Sequence, residues 1–435
     1  MKVKNLLRKG FSPADAVDGG DTPSHHSYYS SSSYSTPSST VSSASSLQSN
    51  LSLQTLPSVP SLQTALSPDS ALHLSVAHAL TSSLATPPHL RHGHNSTVSS
   101  LAVHNHLLYA ASGNQISVYD VSTPGSLNLL DSFCGNDPSS GSVKSIAFCK
   151  GNVISSHQSG KIKIWRFEKQ SNKHKLVTTL PTVNDKLRHL IFPASYVQVR
   201  RHKKRMWIEH NDAVSGLAVN EELMCSVSWD RSLKIWRPSD FKCQQSIPAH
   251  EDAVNAVVVS KDGVVYTGCA DGRIRVWARP GTGNKYVLIA TLEKHRSAVN
   301  ALALSADGGT LFSGACDRSI LVWEREDSAG FMAVTGALRG HGKAILCLIN
   351  HGDMLMSGSA DKTVRIWARG GDGSFCCLAV LDGHRSPVKS VAAVSGSGGA
   401  ISVYSGGLDG EIRAWEVTVS DSVKNSCAAF LLNQT

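Results

Sequence analysis

The chain has 435 residues with 41% apolar and 17% charged side chains, enough to bury a sizeable core in two or three ordinary domains or in one large repeat array. Its formal net charge of +9 permits an acidic partner without requiring one, and its ten cysteines are too dilute for a disulfide scaffold and read as reduced thiols of a cytosolic or nuclear protein. No run reaches the roughly 18 to 20 uncharged apolar residues of a membrane span, and residues 1–20 lack the apolar core of a secretory signal, so a soluble, non-exported chain is expected.

From Ser24 to Ser49 more than half of the side chains are serine. Such a segment buries too little to offset roughly 1–2 kcal/mol of backbone entropy per residue, so residues 1–90 are expected to form a disordered region rich in Ser, Thr and Pro. Within it, Leu47–Leu66 (LQSNLSLQTLPSVPSLQTAL) spaces Leu, Val and Pro through a polar background; it reads as a linker with adhesive residues, a docked strand being the second reading. Ser12, Thr22, Thr36, Ser67 and Thr86 each precede proline and are candidate phosphorylation sites. His89, His92, His94, His104 and His106 cluster in sequence, but without helical i, i+4 placement or Cys and Asp companions they make no zinc site, and neither metal nor cofactor is expected.

Ordered chain is expected over residues 91–435. Two irregular runs come first: residues 94–119, with His94, Gly113 and Tyr119, and residues 143–165, with Ser155, Ser159 and Trp165. Then Trp236, Trp277, Trp323, Trp367 and Trp415 recur at a period of roughly 40 to 50 residues and close the runs SLKIW, RIRVW, SILVW, TVRIW and EIRAW. That alternation is a strand with one buried face. Six residues before each tryptophan stands an aspartate (Asp230, Asp271, Asp317, Asp361, Asp409), and four before that Ser226, Thr267, Ser313, Ser357 or Ser405. A histidine (His210, His250, His295, His341, His384) precedes each aspartate by about half a repeat. Ser, His and Asp are the parts of a hydrolase triad, but a catalytic set occurs once per active site and this one recurs five times with an indole attached, so no catalytic residue is expected. The glycine-rich pieces from Gly281, Gly370 and Gly396 lack the Lys-Ser/Thr of a phosphate loop and read as turns.

This register resembles the WD-repeat family of β-propellers, with the two irregular runs as degenerate copies. The resemblance implies an all-β, seven-bladed propeller with four antiparallel strands, a to d, in each blade. It also implies a buried hydrogen-bonded tetrad in each of five blades: His210, Ser226, Asp230 and Trp236; His250, Thr267, Asp271 and Trp277; His295, Ser313, Asp317 and Trp323; His341, Ser357, Asp361 and Trp367; His384, Ser405, Asp409 and Trp415. The stretch from Trp165 to His210 is more than twice as long as the corresponding stretch in any later repeat. The excess, about residues 178–205, is expected as an insertion in blade two, between its strands c and d, with RMWIEH ending strand d and the insert opening on the bottom face. Ring closure is expected from an N-terminal strand within residues 72–80 or 80–90, with Cys427–Leu432 (CAAFLL) as its rival. The run YVQVRRHKKRMWIEHNDAVSGLAV, the LSLQTLPSVPSLQ segment and the Ser-rich start are similar to the JINGUBANG group of plant WD-repeat proteins, which implies a regulatory adaptor of cytoplasm and nucleus.

The function expected is a non-enzymatic scaffold or adaptor for other proteins, transcriptional or signalling regulators among them, with no membrane and no small-molecule substrate. A nucleic-acid-associated regulator using the basic insert is the first alternative. A ubiquitin-ligase substrate receptor is the second, and is disfavoured because no repeat tryptophan opens a Trp-Asp-any-Arg ending. Candidate partner-binding residues are Asp212, Trp229, Asp252, Arg296, Lys343 and Arg385, beside the tetrad histidines or just before a turn aspartate. Trp229 ranks first, because an aromatic at a solvent-facing turn is a natural interface anchor. Arg200, Arg201, Lys203, Lys204 and Arg205 form the second candidate set, suited to an acidic segment, to nuclear import, or simply to a charged strand edge that deters pairing.

Overall fold

Short turns between the alternating runs let each strand pair with the one before it. The computed structural model describes residues 59–63, 75–83, 97–123, 127–190, 196–200, 203–281, 283–325, 332–370, 373–396 and 400–418. The expected Ser-rich disorder, the five Ser/Thr-Pro sites, His89, His92, His94, Arg201 and the CAAFLL run lie outside the described residues.

Blade 1 consists of Val98–His104, Leu107–Ser112, Gln115–Asp120 and Asn128–Phe133, and blade 2 of Val143–Cys149, Asn152–His157, Ile162–Glu168 and Lys173–Leu180. Blade 3 holds Val214–Val219, Met224–Ser228, Ser232–Trp236 and Cys243–Pro248; blade 4 holds Val254–Val259, Val265–Cys269, Ile274–Ala278 and Val287–Leu292. Blade 5 is Val299–Leu304, Thr310–Ala315, Ile320–Arg325 and Met332–Leu338, and blade 6 is Ile345–His351, Met354–Ser359, Val364–Arg369 and Phe375–Leu381. Blade 7 takes Val388–Ser395, Ala400–Gly407 and Glu411–Thr418 from the end of the chain, and its outer strand is Ser75–Ser83, antiparallel to Glu411–Thr418. Strand a of each blade packs on strand a of the next, and that of blade 7 on that of blade 1, which closes a seven-bladed propeller.

The boundary expected at residue 91 therefore moves upstream, because Ser75–Ser83 is part of the ring. Without it, Glu411–Thr418 presents a row of unpaired N–H and C=O groups. A second correction concerns Leu47–Leu66, expected as a linker: Ser61 and Gln63 make parallel bridges to Ala337 and Phe375 on the outer strands of blades 5 and 6.

The core lies between blades. Buried apolar side chains among the described residues sort into seven clusters, one at each blade–blade junction. The aromatic ending each strand c packs against the preceding blade: Trp236 against blade 2, Trp323 against blade 4, and Tyr119 of blade 1 against blade 7. Strands b, such as Thr310–Ala315, are buried along their whole length, whereas Val287–Leu292, a strand d, is mostly exposed. Two-sided burial of strand b leaves little room, and the residue after the tetrad Ser is glycine where packing is tightest. A Cβ on Gly314 would sit 2.4 Å from Ile345 Cγ2, and one on Gly406 2.4 Å from Val98 Cγ1. In both cases the side chain opening the next blade occupies that space.

The insert is not where the spacing suggests. Strand d of blade 2 is Lys173–Leu180, which follows strand c after a short turn and pairs with it, Trp165 opposite Leu176. RMWIEH is therefore not strand d, and the extra chain begins at Pro181, in the connection from blade 2 to blade 3. It forms the helix Val183–Leu190 and a hairpin of Tyr196–Arg200 with Lys203–Met206. Thr182 and Asp185 cap the helix reciprocally, Asp185 N donating to Thr182 Oγ1 at 3.1 Å and Thr182 N to Asp185 Oδ2 at 3.2 Å. Because every antiparallel reversal changes ends, b–c and d–a connections share one end of the ring and a–b and c–d connections the other. The insert thus lies on the end of the b–c turns, opposite to the bottom face expected for it.

Candidate functional site

Each of the five expected tetrads is assembled. In blade 5, Trp323 Nε1–H donates to Ser313 Oγ at 2.8 Å, His295 Nε2 lies 2.8 Å from the same oxygen, and His295 Nδ1 lies 2.8 Å from Asp317 Oδ2. Blade 6 repeats this with Trp367, Ser357, His341 and Asp361 at 2.9, 2.8 and 2.8 Å. Blade 3 joins Trp236, Ser226, His210 and Asp230 at 2.8, 2.7 and 3.2 Å. Blade 4 joins Trp277, Thr267, His250 and Asp271 at 2.9, 2.8 and 3.2 Å. Blade 7 joins Trp415, Ser405, His384 and Asp409 at 2.9, 2.8 and 3.2 Å.

The network fixes the protons. Because a carboxylate only accepts, the imidazole carries its proton on Nδ1; Nε2 then accepts from the hydroxyl, whose oxygen receives the indole N–H. Burial holds His210, His250, His341 and His384 below the usual imidazole range, so the rings are neutral, while the imidazole partners and turn amides hold the five aspartates below the usual carboxylate range. The serine oxygens are fully buried with both neighbours engaged, and no substrate reaches them. His250, Cys269 and Asp271, and likewise His384, Asp409 and Glu411, bring ligand atoms within 4.8 Å of one another. In both groups the tetrad already uses the two imidazole nitrogens.

Blade 2 keeps three of the four members of the pattern by a route the repeat spacing does not show. Trp165 Nε1–H donates to Ser155 Oγ at 2.9 Å, and the imidazole at 2.9 Å from that oxygen belongs to His157, two residues along the same strand. Residues i and i+2 share a strand face, so strand b supplies the ring itself. Burial pushes the His157 imidazole down to about 4. Ser159, in the aspartate position, is too short to reach it. Between blades 1 and 2 a second buried polar group forms: His174 Nδ1 lies 2.8 Å from Asp131 Oδ2 and its Nε2 3.3 Å from the Tyr109 hydroxyl, with Phe133 stacked on the ring.

Function must then be sought on surfaces. At the entrance of every strand a one residue is bulged out of register: Ser99, Lys144, Ser215, Asn255, Asn300, Leu346 and Lys389. Ser99, Ser215, Asn255 and Asn300 each donate to the first carbonyl of the next strand a, stitching four junctions at this end. Lys144 makes no such stitch: its Nζ lies 5.5 Å from the ring centroid of Trp229 on blade 3. Burial and the neighbouring Lys389 pull Lys144 below the usual ammonium range.

Of the residues expected to face this rim, Asp212, Asp252, Arg296, Lys343 and Arg385 are all exposed, as is Trp229 at 42%. Asp212 and Asp252 are engaged locally, each accepting from the following amide at 2.7 Å. The basic hairpin lies on the same end: Arg205 donates to the His210 carbonyl at 3.0 Å, Lys234 Nζ donates to the Trp207 carbonyl at 2.6 Å, and Lys186 pairs with Glu209 at 3.0 Å. Arg200, Lys203, Lys204 and Arg205 are strand residues there. Lys144 and Lys389 are absent from the residues expected at this rim. The available signal is that they are the cations in a strand-a position otherwise held by Ser, Asn or Leu.

The family model for "WD domain, G-beta repeat" matches residues 202–237, 241–278, 286–324, 333–368 and 375–416, the five stretches that carry complete tetrads. A 125-residue stretch is 25% identical to the CCR4-associated factor 4 homolog of Candida glabrata, covering 26% of this chain and 21% of that protein. Kinesin-like protein KIF21A of Homo sapiens is 28% identical over 132 residues, 30% of this chain and 8% of that one. Myosin heavy chain kinase D of Dictyostelium discoideum is 32% identical over 85 residues, 20% and 9%. The chain thus spans about a fifth or less of the length of these curated relatives. Five matched repeats, five complete tetrads and a closed ring of seven four-stranded blades make this chain a member of the WD-repeat family of β-propellers.

Proposed function

We propose that the chain is a non-enzymatic protein-interaction scaffold, a regulatory adaptor of cytoplasm and nucleus like the plant group its sequence resembles. The ring end bearing Trp229 takes a partner segment that is acidic and carries an apolar anchor. WD-repeat propellers generally bind other proteins, and the fold supplies a rigid frame whose chemistry lies in its loops. The observation that carries the reading is Trp229, a large aromatic 42% exposed with the Lys144 ammonium 5.5 Å over its ring, at the rim where Lys389 adds a second cation. An exposed indole beside cations offers an apolar seat and charge complementarity together.

The test is recovery of partners with the full chain at near-native expression, comparing wild type with Trp229→Ala and with Lys144→Glu plus Lys389→Glu. Recovery of a defined partner falls roughly tenfold or more in both variants while melting is unchanged. Undiminished recovery in both overturns the proposal. The nucleic-acid alternative is separated by retention on DNA or RNA, whose steep decline with salt is the mark of phosphate contacts.

A further inference from the structure

Val59–Gln63 lies extended along the outer wall of the ring, across the outer strands of blades 5 and 6. Ala337 N donates to the Pro60 carbonyl at 2.9 Å, Leu62 N to the Ala337 carbonyl at 3.2 Å, and Phe375 N to the Leu62 carbonyl at 3.0 Å. Arg339 holds both ends, its guanidinium donating to the Val59 carbonyl at 2.8 Å and its main-chain N–H to Gln63 Oε1 at 3.3 Å. Leu62 packs on the blade 5–6 cluster that contains Phe312 and Phe375, and Val59 on the blade 4–5 cluster.

The wall is shaped for this leucine. A Cβ on Gly336 would lie 2.2 Å from Leu62 Cγ, so a strand d carrying any side chain there has no socket. Pro60 contributes only a carbonyl, so its missing N–H costs nothing, and its fixed φ pre-extends the segment. What is recognised is main chain, one leucine and one amide, a peptide signature that does not depend on how the segment is joined to the ring. The same Ser-Leu-Gln triplet occurs again in the sequence at Ser46–Gln48 and at Ser52–Gln54.

We propose that the outer wall of blades 5 and 6 is a binding site for extended segments of the form apolar-Pro-Ser-Leu-Gln. Val59–Gln63 is its resident ligand, and a partner protein that presents such a segment enters by displacing it. The site goes beyond the scaffold reading above: it lies on the side wall and shares no residue with the Trp229 rim, so either can fail alone. Eleven residues join Gln63 to Ser75, the first residue of the closing strand. A tether that short gives the resident an effective concentration in the millimolar range.

The test uses the full chain and a fluorescent peptide of the resident sequence, Ser58–Thr64 (SVPSLQT). Leu62→Asp combined with Leu47→Asp and Leu53→Asp vacates the site and leaves no intact triplet in the chain. This variant binds the peptide saturably by anisotropy, roughly ten- to hundredfold more tightly than wild type, whose resident competes. Adding Gly336→Val fills the socket and abolishes the gain; Arg339→Glu, a change to an exposed side chain, does the same should the valine disturb blade 5. A peptide with Asp in place of its leucine does not bind. Absence of saturable binding to the vacated, folded variant overturns the proposal, and makes Val59–Gln63 a fixed part of the fold. Equal binding with and without the blocking changes overturns it as well.

Discussion

Replacing Asp317 by alanine isolates what a tetrad contributes. Asp317 Oδ2 accepts from His295 Nδ1 at 2.8 Å and Arg296 N at 3.1 Å, and Oδ1 from Ser319 N at 3.0 Å and Ser319 Oγ at 2.6 Å. Arg296 is exposed and Ser319 partly so, and water can serve both once the carboxylate is gone. His295 cannot be served: its side chain is 0% exposed, and an orphaned buried donor costs about 1–3 kcal/mol. With the lost charge-assisted bond the change amounts to about 2–3 kcal/mol, which at about 2–4 °C per kcal/mol lowers Tm by roughly 4–12 °C. The measurement is thermal unfolding by circular dichroism beside a matched control, Asp262→Ala. That carboxylate is 68% exposed and 3.7 Å from Arg325, so its loss costs under about 1 kcal/mol. If the two variants melt together, the tetrads are decorative and the blades are held by other contacts.

Acidification should destabilise the ring. Burial holds His210, His250, His341 and His384, and His157 of blade 2, below the usual imidazole range, and the tetrad aspartates are held below the usual carboxylate range. The contribution of these groups is therefore complete above pH 6.5 and is lost as pH falls, first through the histidine window down to about 4 for His157 and then through the carboxylates. Urea midpoints that rise between pH 7 and pH 5 contradict this. Gly314→Ala should cost about 1–3 kcal/mol by driving a methyl into Ile345, read as a lower denaturation midpoint at unchanged m-value. Changing Arg200, Arg201, Lys203, Lys204 and Arg205 to glutamine should weaken recovery of the same partner that Trp229→Ala loses, since the hairpin and the indole share one end of the ring. Lost nuclear accumulation with intact recovery would instead mark the run as an import signal.

The five tetrads are legible in the sequence because each is a fixed set of offsets between residue types that fill few other roles, and one strand–turn–strand unit dictates them. Strand d of blade 2 is not legible. KHKLVTTL pairs with strand c and carries no tetrad residue, its histidine, His174, bonding Asp131 and Tyr109 of blade 1 instead, so the histidine ending RMWIEH reads as the end of strand d when it belongs to the connection after the insert. His157 is hidden for the opposite reason: it fills a familiar role from an unfamiliar offset, although Ser-x-His on one strand places the two side chains together. The docking of Val59–Gln63 depends on a missing side chain at Gly336, and a glycine four blades further along the chain leaves no mark on the segment that fills its space. Lys144 gains meaning only when seven strands are laid side by side.

The closing strand also sets a timetable. Ser83 lies opposite Glu411, about 330 residues later, so at ~5–20 residues per second of synthesis the first-made strand waits roughly 16–65 s for its partner. During that interval it is an unsatisfied β-edge on the nascent chain, and ring completion is a late, long-range step of the kind that slows folding. Once shut, the same seam works as a non-covalent weld. A single backbone cut between residues 83 and 97 should leave a nicked ring that stays whole on a sizing column and parts into two pieces only when denatured, because eight residue pairs hold the first fragment to the last blade.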